Sequence, residues 1–336
     1  MKVTIKDVAK LAGVSISTVS RVINNSKPVS PEVRRKVLDA IKQLDYKPNE
    51  VARSLVTRRS NLIGVIVTDI GNFYVAEMVR GIEEVGRMYN FDIILSSSYG
   101  NVDAELKFIQ FLTRKQVEGI VLISEKIDKE VIEEIQSNNI PFIYLNRYHN
   151  KYDLPTVSID NTMASFQMTE YLIELGHERL LYVSYEIDDK YAVEMSKIEG
   201  YNKAIKGMEK EGFIFHAKGF TIQDGYDMGP AVIDLVRENN ITVVFCGHDE
   251  LAIGFMSYCY DNNIKVPEDI SVCGFGDKKI ASIYRPRLTT IREPFYDIGA
   301  VAIRSIIKKI KGEEMENDKI ILPYQIIKRE SCAKIK

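Results

Sequence analysis

Residues 4–24 read TIKDVAKLAGVSISTVSRVIN, and this stretch predicts two short helices joined by a tight turn. Thr4 and Asp7 have the spacing of a capping box at the start of the first helix. Gly13 suits the turn because glycine readily adopts positive φ, and Ser15 is placed to cap the second helix. Apolar side chains take one face of that second helix. The opposite face is polar and carries Ser17, Ser20, Arg21 and Asn24.

A third helix is predicted after this pair, because Ser30 and Pro31 have the pattern of an N-cap and a first helical residue. Three short helices with a glycine turn between the first two indicate a helix-turn-helix bundle. A helix whose outer face is small, polar and singly basic fits the major groove of DNA, where flanking lysines and arginines neutralise phosphates. An ordinary solvated face is the alternative interpretation of the same side chains.

The charge distribution separates this head from the rest of the chain. The 336-residue chain has a net charge of -2, but residues 1–60 contain 7 Lys and 6 Arg against 5 Asp or Glu. The head therefore has a balance of +8 and the remainder a balance of -10. Such asymmetry indicates a head that meets a polyanion and a body with a different task.

Beyond Ser60, apolar β-rich runs alternate with helical stretches in two series. The first series contains IGVIVTDI, FDIILSSS, GIVLIS and PFIYLN, and the second contains RLLYVSY, ITVVFCG and ISVCGFG. This alternation predicts doubly wound parallel sheets with helices on both faces, and two series predict two lobes. Ligands bind such sheets at the carboxyl ends of the strands, so the loops after these runs are the candidate binding loops.

No constellation in the sequence indicates an enzyme. Gly274 and Gly276 lack the third glycine of a dinucleotide motif, and the P-loop and nucleophile-elbow patterns do not occur. The four histidines are dispersed, and His177 is interpreted as a helix-end cap. The four cysteines have no CxxC spacing and are expected to be reduced core thiols. Without a signal peptide or a transmembrane run, we expect a cytoplasmic protein that needs neither cofactor nor metal.

Several segments resemble the lactose-repressor (LacI) family of bacterial transcription regulators. They are TIKDVAKLAGVSISTVSRVIN, SPEVRRKV, LDYKPNEVARSL, SIDN, ELGHERL, FCGHDELAIG and RPRLTTI. The resemblance implies an all-α helix-turn-helix headpiece at 1–47 and a hinge helix with its linker at 48–59. It also implies a bilobed, periplasmic-binding-protein-like effector and dimerisation domain at 60–336. Lobe 1 would contain residues 60–160 and 293–319, and lobe 2 would contain residues 161–292 and 320–336.

The resemblance also assigns DNA-contacting positions. The start of the second helix would read bases, with Ile16 against a thymine methyl and Arg21 on a guanine edge or a phosphate. Leu55 would wedge into the minor groove from a hinge helix of about seven residues, which is too short to persist alone and would order when two copies pair on DNA. A simple linker contact is the alternative for Leu55. The implied set is Thr4, Ser15, Ile16, Ser17, Ser20, Arg21, Asn24, Asn49, Ala52 and Leu55.

For the effector cleft, the resemblance points to residues in the loops after the strands. The implied set is Asn72, Tyr74, Asn146, Arg147, Tyr191, Lys197, Phe220, Asp249 and Asp277. An aromatic ring such as Tyr74 or Phe220 would cover a sugar or a base, although core packing is the alternative for both. Three positions depart from the family pattern. The stretch Asn72-Phe73-Tyr74 lacks the proline of the usual NPF, Lys197 replaces an arginine and loses its bidentate geometry, and GFGD replaces GFD around Asp277.

The resulting hypothesis is a dimeric repressor of carbohydrate-utilisation genes that binds a pseudo-palindromic operator and responds to a sugar or sugar phosphate. A purine-responsive repressor is an alternative. Residues 296–304 read YDIGAVAIR and resemble the catabolite control branch of the family, which is corepressed by phosphorylated carrier protein HPr. Arg304 would then pair with a phosphoserine, unless it is ordinary surface charge. A transport solute-binding protein and a sugar-metabolising enzyme are rival classes, disfavoured by the basic head and by the lack of a catalytic set.

Overall fold

The computed structural model describes residues 3–24, 27–46, 59–124, 128–146, 154–186, 193–314 and 317–335. The chain divides into two compact units, Met1–Ser60 and Asn61–Lys336, and each is described separately. No helix in these described ranges is long and apolar enough to cross a membrane.

The described part of the first unit contains three helices, which confirm the helix-turn-helix prediction. They are α1 (Ile5–Ala12), α2 (Ile16–Asn24) and α3 (Pro31–Gln43). Gly13 has a φ of 65°, in the left-handed region that glycine permits, and the backbone N–H of Thr18 donates to the Ser15 hydroxyl over 3.2 Å. The small core that holds the helices together contains Val8, Ala9, Val19, Val22, Val37 and Ala40.

Lobe 1 of the second unit is built on a parallel sheet of four strands in the order β2-β1-β3-β4. Its strands are β1 (Leu62–Val67), β2 (Asp92–Ser97), β3 (Gly119–Ser124) and β4 (Phe142–Asn146). The helices between them are α4 (Phe73–Met88), α5 (Val102–Arg114) and α6 (Lys129–Ser137). The described positions of β3 are all buried, which explains why its sequence is continuously apolar.

Lobe 2 is built on a six-stranded sheet in the order β12-β10-β9-β8-β6-β7, parallel except for β12. The strands are β6 (Arg179–Tyr185), β7 (Glu211–Ala217), β8 (Val243–Cys246), β9 (Ser271–Gly276), β10 (Thr289–Arg292) and β12 (Gln325–Ile327). Its helices are α7 (Asn161–Glu174), α8 (Val193–Gly207), α9 (Ile222–Asp227), α10 (Gly229–Asn239), α11 (Asp249–Asp261) and α12 (Lys279–Ile283).

Two elements return the chain to lobe 1. Helix α13 (Phe295–Ile310) follows β10 and packs against α4, where Gly81 and Gly299 let the two backbones approach so closely that a Cβ at either position would meet a backbone carbonyl. A two-stranded parallel sheet then joins β5 (Thr156–Ile159) to β11 (Lys319–Leu322). The predicted α/β class with two parallel sheets is therefore confirmed.

Candidate nucleic-acid interface and ligand cleft

The outer face of α2 presents a compact polar surface. Ile16 is 44% exposed, and Ser17 and Arg21 are exposed beside it. The Ser15 hydroxyl lies 2.8 Å from the Ser17 hydroxyl and also accepts from the Thr18 N–H. These two contacts hold the N-terminal turn of α2 in place. Because Val19 and Val22 on the opposite face are buried, this orientation is fixed by the head's core. The face offers an apolar contact, two hydroxyls and one guanidinium to a groove.

Other residues of the predicted DNA set have different positions. Thr4 is exposed, and its hydroxyl donates to the Asp7 carboxylate over 2.7 Å. Ser20 is half-buried. Asn24 ends α2, although its side chain lies outside the described part of the structure. Asn49, Ala52 and Leu55 lie outside the described residues altogether, so their DNA contacts stay predictions.

A cleft of about 380 Å³ opens where the strands of lobe 1 end. Most of its lining follows β1, β2 and β3, and Phe220 of lobe 2 closes it from the other side. The lining residues are Thr68, Asp69, Asn72, Tyr99, Gly100, Ser124 and Phe220. The position agrees with the rule that parallel sheets bind ligands at their carboxyl ends.

Phe220 belongs to an aromatic group on the lobe 2 side of the cleft. Its ring stacks on the His248 ring, with 5.2 Å between centroids, and lies 5.4 Å from the Tyr185 ring. His248 is 1% exposed, so it supports Phe220 from inside the lobe. The arrangement gives the half-buried phenylalanine a fixed orientation.

Beneath this group lies a buried ion pair. The Lys197 ammonium is 3.3 Å from a Glu194 carboxylate oxygen, and both side chains are 1% exposed. Lys197 also donates to the Gly247 carbonyl over 2.8 Å, and Tyr182 donates to Glu194 over 2.7 Å. Burial alone would raise the pKa of Glu194, but Lys197, His248 and Tyr182 outweigh it and hold that pKa below its usual range.

The two predicted acidic contacts are engaged inside lobe 2. Asp249 accepts from the Thr290 hydroxyl over 2.6 Å and from the Lys278 amide over 2.7 Å. Burial nevertheless raises the pKa of Asp249 to about 7, because it disfavours the charged form. Each Asp277 oxygen accepts from an arginine over 2.6 Å, one from Arg292 and one from Arg329.

The remaining predicted effector residues divide between lobe 1 and the parts of the chain that are not described. Asn72 lines the cleft as the N-cap of α4. Tyr74 is 5% exposed, packs 6.0 Å from the Phe295 ring, and lines a separate cavity of about 40 Å³. The Asn146 side chain, Arg147 and Tyr191 lie outside the described residues. The binding roles of all these residues stay predictions.

Sequence reasoning did not select several residues of the cleft, namely Thr68, Asp69, Tyr99, Gly100 and Ser124. Their common signal is position, since each ends or directly follows a predicted parallel strand. The turn Ser98-Tyr99-Gly100-Asn101 was the clearest of these signals, because serine, glycine and asparagine are turn residues and tyrosine is not.

The described part of the chain holds no group of three His, Cys, Asp or Glu side chains that could bind a metal ion. His177 is buried, and its Nδ1 lies 2.8 Å from the Thr242 hydroxyl, while its backbone N–H caps the end of α7 at the Leu172 carbonyl. The four cysteines are free thiols, three of them buried, as predicted. Burial raises the pKa of the Cys259 thiol to about 12, which keeps it protonated and unreactive.

A helix-turn-helix head and a two-lobed domain with an interlobe cleft define a DNA-binding regulator that carries a ligand-binding domain. A model for bacterial regulatory proteins of the lacI family matches residues 4–49, and a model for a periplasmic binding protein-like domain matches residues 169–332. Catabolite control protein A of Priestia megaterium is 36% identical over 334 residues, which span 98% of this chain and 99% of that protein. The chain belongs to the LacI family of bacterial transcription regulators, as its motifs predicted.

Solved structures agree on the fold. The lac repressor dimer bound to operator and an anti-inducer superposes with a TM-score of 0.85 over 99% of this chain and 100% of that one, at 24% identity, which bears on the fold alone. The transcriptional regulator CelR in complex with cellobiose has 26% identity and a TM-score of 0.72 over 98% of this chain and 99% of that one. Both of these solved structures are of regulators.

Proposed function

We propose that this regulator is a repressor of carbohydrate-utilisation genes whose operator affinity is set by a small carbohydrate in the interlobe cleft. The observation that carries the proposal is the cleft of about 380 Å³, lined by polar groups of lobe 1 and by Phe220 of lobe 2. A ligand that touches both lobes binds one lobe arrangement better than another, and that difference is what can alter DNA affinity. The cellobiose complex of a relative supports the ligand class.

On DNA, two copies of the chain would bind a pseudo-palindrome, because a twofold dimer requires twofold half-sites. The exposed side chains of α2 would enter the major groove, and the 49–55 segment with Leu55 would pair with its copy at the centre. The proposed division into a head at 1–47, a hinge at 48–59 and an effector domain at 60–336 is supported by the boundary between Ser60 and Asn61. A protein with this task acts in the cytoplasm, where the DNA is.

The proposal is tested by measuring operator affinity with and without sugars. An operator is selected from random duplexes, and its Kd is followed by fluorescence anisotropy with glucose, ribose, maltose and cellobiose, each beside its available phosphate ester. We expect one sugar to change Kd by about tenfold or more, since coupling free energies of 1–3 kcal/mol are typical. Tight operator binding that no carbohydrate changes would contradict the effector part and leave the DNA function standing.

A second candidate is control by the phosphorylated carrier protein HPr. It is favoured by Arg304, which is exposed on α13, and by the YDIGAVAIR segment at 296–304 that contains it. A phosphoserine binds strongly to an exposed arginine. Surface plasmon resonance with serine-phosphorylated and unphosphorylated HPr tests this candidate, with Arg304→Ala as the variant and Arg87→Ala on α4 as the control. Equal binding of both HPr forms would exclude it.

A further inference from the structure

The conformation of Tyr99 is unusual for a tyrosine. Its φ is 52°, in the left-handed region that residues with a Cβ rarely adopt, and its side chain is 77% exposed at the mouth of the cleft. A large aromatic residue gains little from burial in such a position, and the backbone is strained there. Strain of this kind persists where the surrounding structure enforces it, and it concentrates at ligand sites.

The surrounding structure does enforce it. The Tyr99 N–H donates to the Thr68 carbonyl over 2.7 Å, which ties the turn after β2 to the end of β1. Ser98, buried below, accepts from the Gly100 N–H over 3.3 Å, and its hydroxyl lies 3.1 Å from a Glu105 carboxylate oxygen. Because Glu105 is itself 3% exposed, the turn rests on a buried polar support. The Tyr99 backbone is therefore fixed at the cleft, on the lobe opposite Phe220.

The floor between the two aromatic residues is polar and incompletely satisfied. Thr68 is 7% exposed, and its hydroxyl has no hydrogen-bond partner among the residues that the structure describes. A buried hydroxyl without a protein partner is rare in native proteins, and such a hydroxyl is available to a polar ligand. Asp69 and Asn72 line the same floor, and the Asn72 side chain makes no capping bond to the described backbone of α4. A hydroxyl-rich ligand would supply partners for these groups.

The charge of the described lining argues against an anionic ligand. The N-terminus of α4 opens on the cleft, and the positive end of a helix dipole attracts anions. The Asp69 carboxylate already supplies a negative charge near this N-terminus, where it accepts from the Gly71 N–H over 2.8 Å. Asp69 is the charged residue of the described lining. The nearby cations of lobe 2 are engaged elsewhere, Lys197 with Glu194 and Arg292 with Asp277.

We propose that the cleft is selective for an uncharged carbohydrate, held between the Tyr99 and Phe220 rings with its hydroxyls on Asp69 and Thr68. The inference rests on the proposed role of the cleft as the effector site and adds the charge of the ligand and a binding residue, Tyr99. Aromatic rings cover the C–H faces of a sugar, and carboxylate and amide groups bind its hydroxyls. A phosphate ester would face the Asp69 carboxylate, and like-charge repulsion would weaken its binding.

The test is isothermal titration of the full-length protein with glucose, ribose, maltose and cellobiose and with their phosphate esters. Tyr99→Asn removes the ring but suits the left-handed backbone, because asparagine tolerates positive φ. Asp69→Asn keeps an oxygen for the Gly71 N–H and removes the charge. Tyr260→Asn is the matched control, since Tyr260 is 80% exposed on α11. Melting temperatures of all variants report whether each one folds.

We expect a neutral sugar to bind at least about tenfold more tightly than its phosphate ester, which corresponds to about 1.4 kcal/mol. Tyr99→Asn should raise the Kd of that sugar about tenfold or more, with an unchanged or higher melting temperature. Asp69→Asn should reduce the ratio between the Kd of the ester and the Kd of the sugar. Tyr260→Asn should bind like the wild type. If the ester binds more tightly than the sugar, or if Tyr99→Asn binds the sugar like the wild type, this inference is wrong and the proposed carbohydrate effector stands. If none of these carbohydrates binds, both the inference and the proposed effector class are wrong.

Discussion

Lys197 stands where the family resemblance predicts a ligand contact, but its ammonium group is buried against Glu194. The position of the residue was readable from the sequence because it precedes the EGY motif. Its carbonyl partner Gly247 lies 50 residues away, and such a pairing follows from the packing of α8 on the sheet and from no local pattern. The same holds for Asp277 and Arg329, which are 52 residues apart.

The buried pair leads to a prediction about stability. Lys197→Met should lower the free energy of unfolding by about 3–5 kcal/mol, because it leaves the Glu194 carboxylate buried without its cation. Adding Glu194→Gln removes that charge, so the double variant should lose less than the two single losses combined. Urea denaturation measures each value. Lys203→Met on the same helix is the control, since Lys203 is 59% exposed and pairs at the surface with Glu199.

His177 predicts a dependence of stability on pH. Burial lowers the pKa of His177 from 6.5 to about 4 in the folded chain. Between these values the unfolded chain binds the proton and the folded chain does not, so stability falls as pH falls from about 6.5 to 4. The contribution is about 3 kcal/mol at the acidic end, since one pKa unit corresponds to about 1.4 kcal/mol.

His177→Gln should flatten this part of the stability curve, measured by urea denaturation at closely spaced pH values. His216→Gln is the control, because His216 is exposed on β7 and its removal leaves the buried site intact. A wild-type slope in the His177 variant would show that carboxylates alone set the acid sensitivity.

At the scale of elements, the sequence predicted the helices of the head and the seven long apolar strands, since each has a strong period or a continuous apolar run. It did not predict β7, which pairs only with β6 among the described strands and has a half-exposed pattern. The strands β5, β10, β11 and β12 were missed because 3 or 4 residues are too few to show alternation, and β8, although equally short, was found through the apolar run ITVVFCG around it. The ends of the predicted strands indicated where the cleft lies, but the sequence did not identify Tyr99 as part of its lining.

Helix α2 is the element on which the proposed DNA recognition depends, and Arg21 is its exposed cation. Arg21→Ala should weaken binding to the selected operator by about 1–3 kcal/mol and relax selectivity at one symmetric position, because a bidentate arginine reads a single base. Fluorescence anisotropy on the operator and on a random duplex measures both effects. Arg87→Ala, an exposed arginine paired with Glu83 on α4, is the control. An equal loss on both duplexes would assign Arg21 to the phosphates.

At the scale of the whole molecule, regulation requires that the cleft and the head influence each other. The chain crosses between the lobes near residues 160, 293 and 323, and each of the two large sheets pairs within one lobe, so a change in lobe closure would not break the strand pairing of either sheet. A ligand between Tyr99 and Phe220 contacts both lobes and so distinguishes one closure from another. In a twofold dimer, closure of the lobes would change the distance between the two heads. Only a distance that matches the spacing of the two half-sites lets both heads bind the operator.

This coupling predicts a reciprocal effect that depends on the length of the DNA. If a sugar changes operator affinity by some factor, the operator must change sugar affinity by the same factor, because linkage is symmetric. Isothermal titration of the sugar should therefore give a shifted Kd in the presence of the full pseudo-palindrome. A single half-site duplex engages one head and leaves the separation of the two heads unconstrained, so it should give the Kd of the free protein, as should a random duplex at high salt. If the half-site shifts the sugar Kd as much as the full operator does, the signal passes within one chain and the separation of the heads is not what the effector controls.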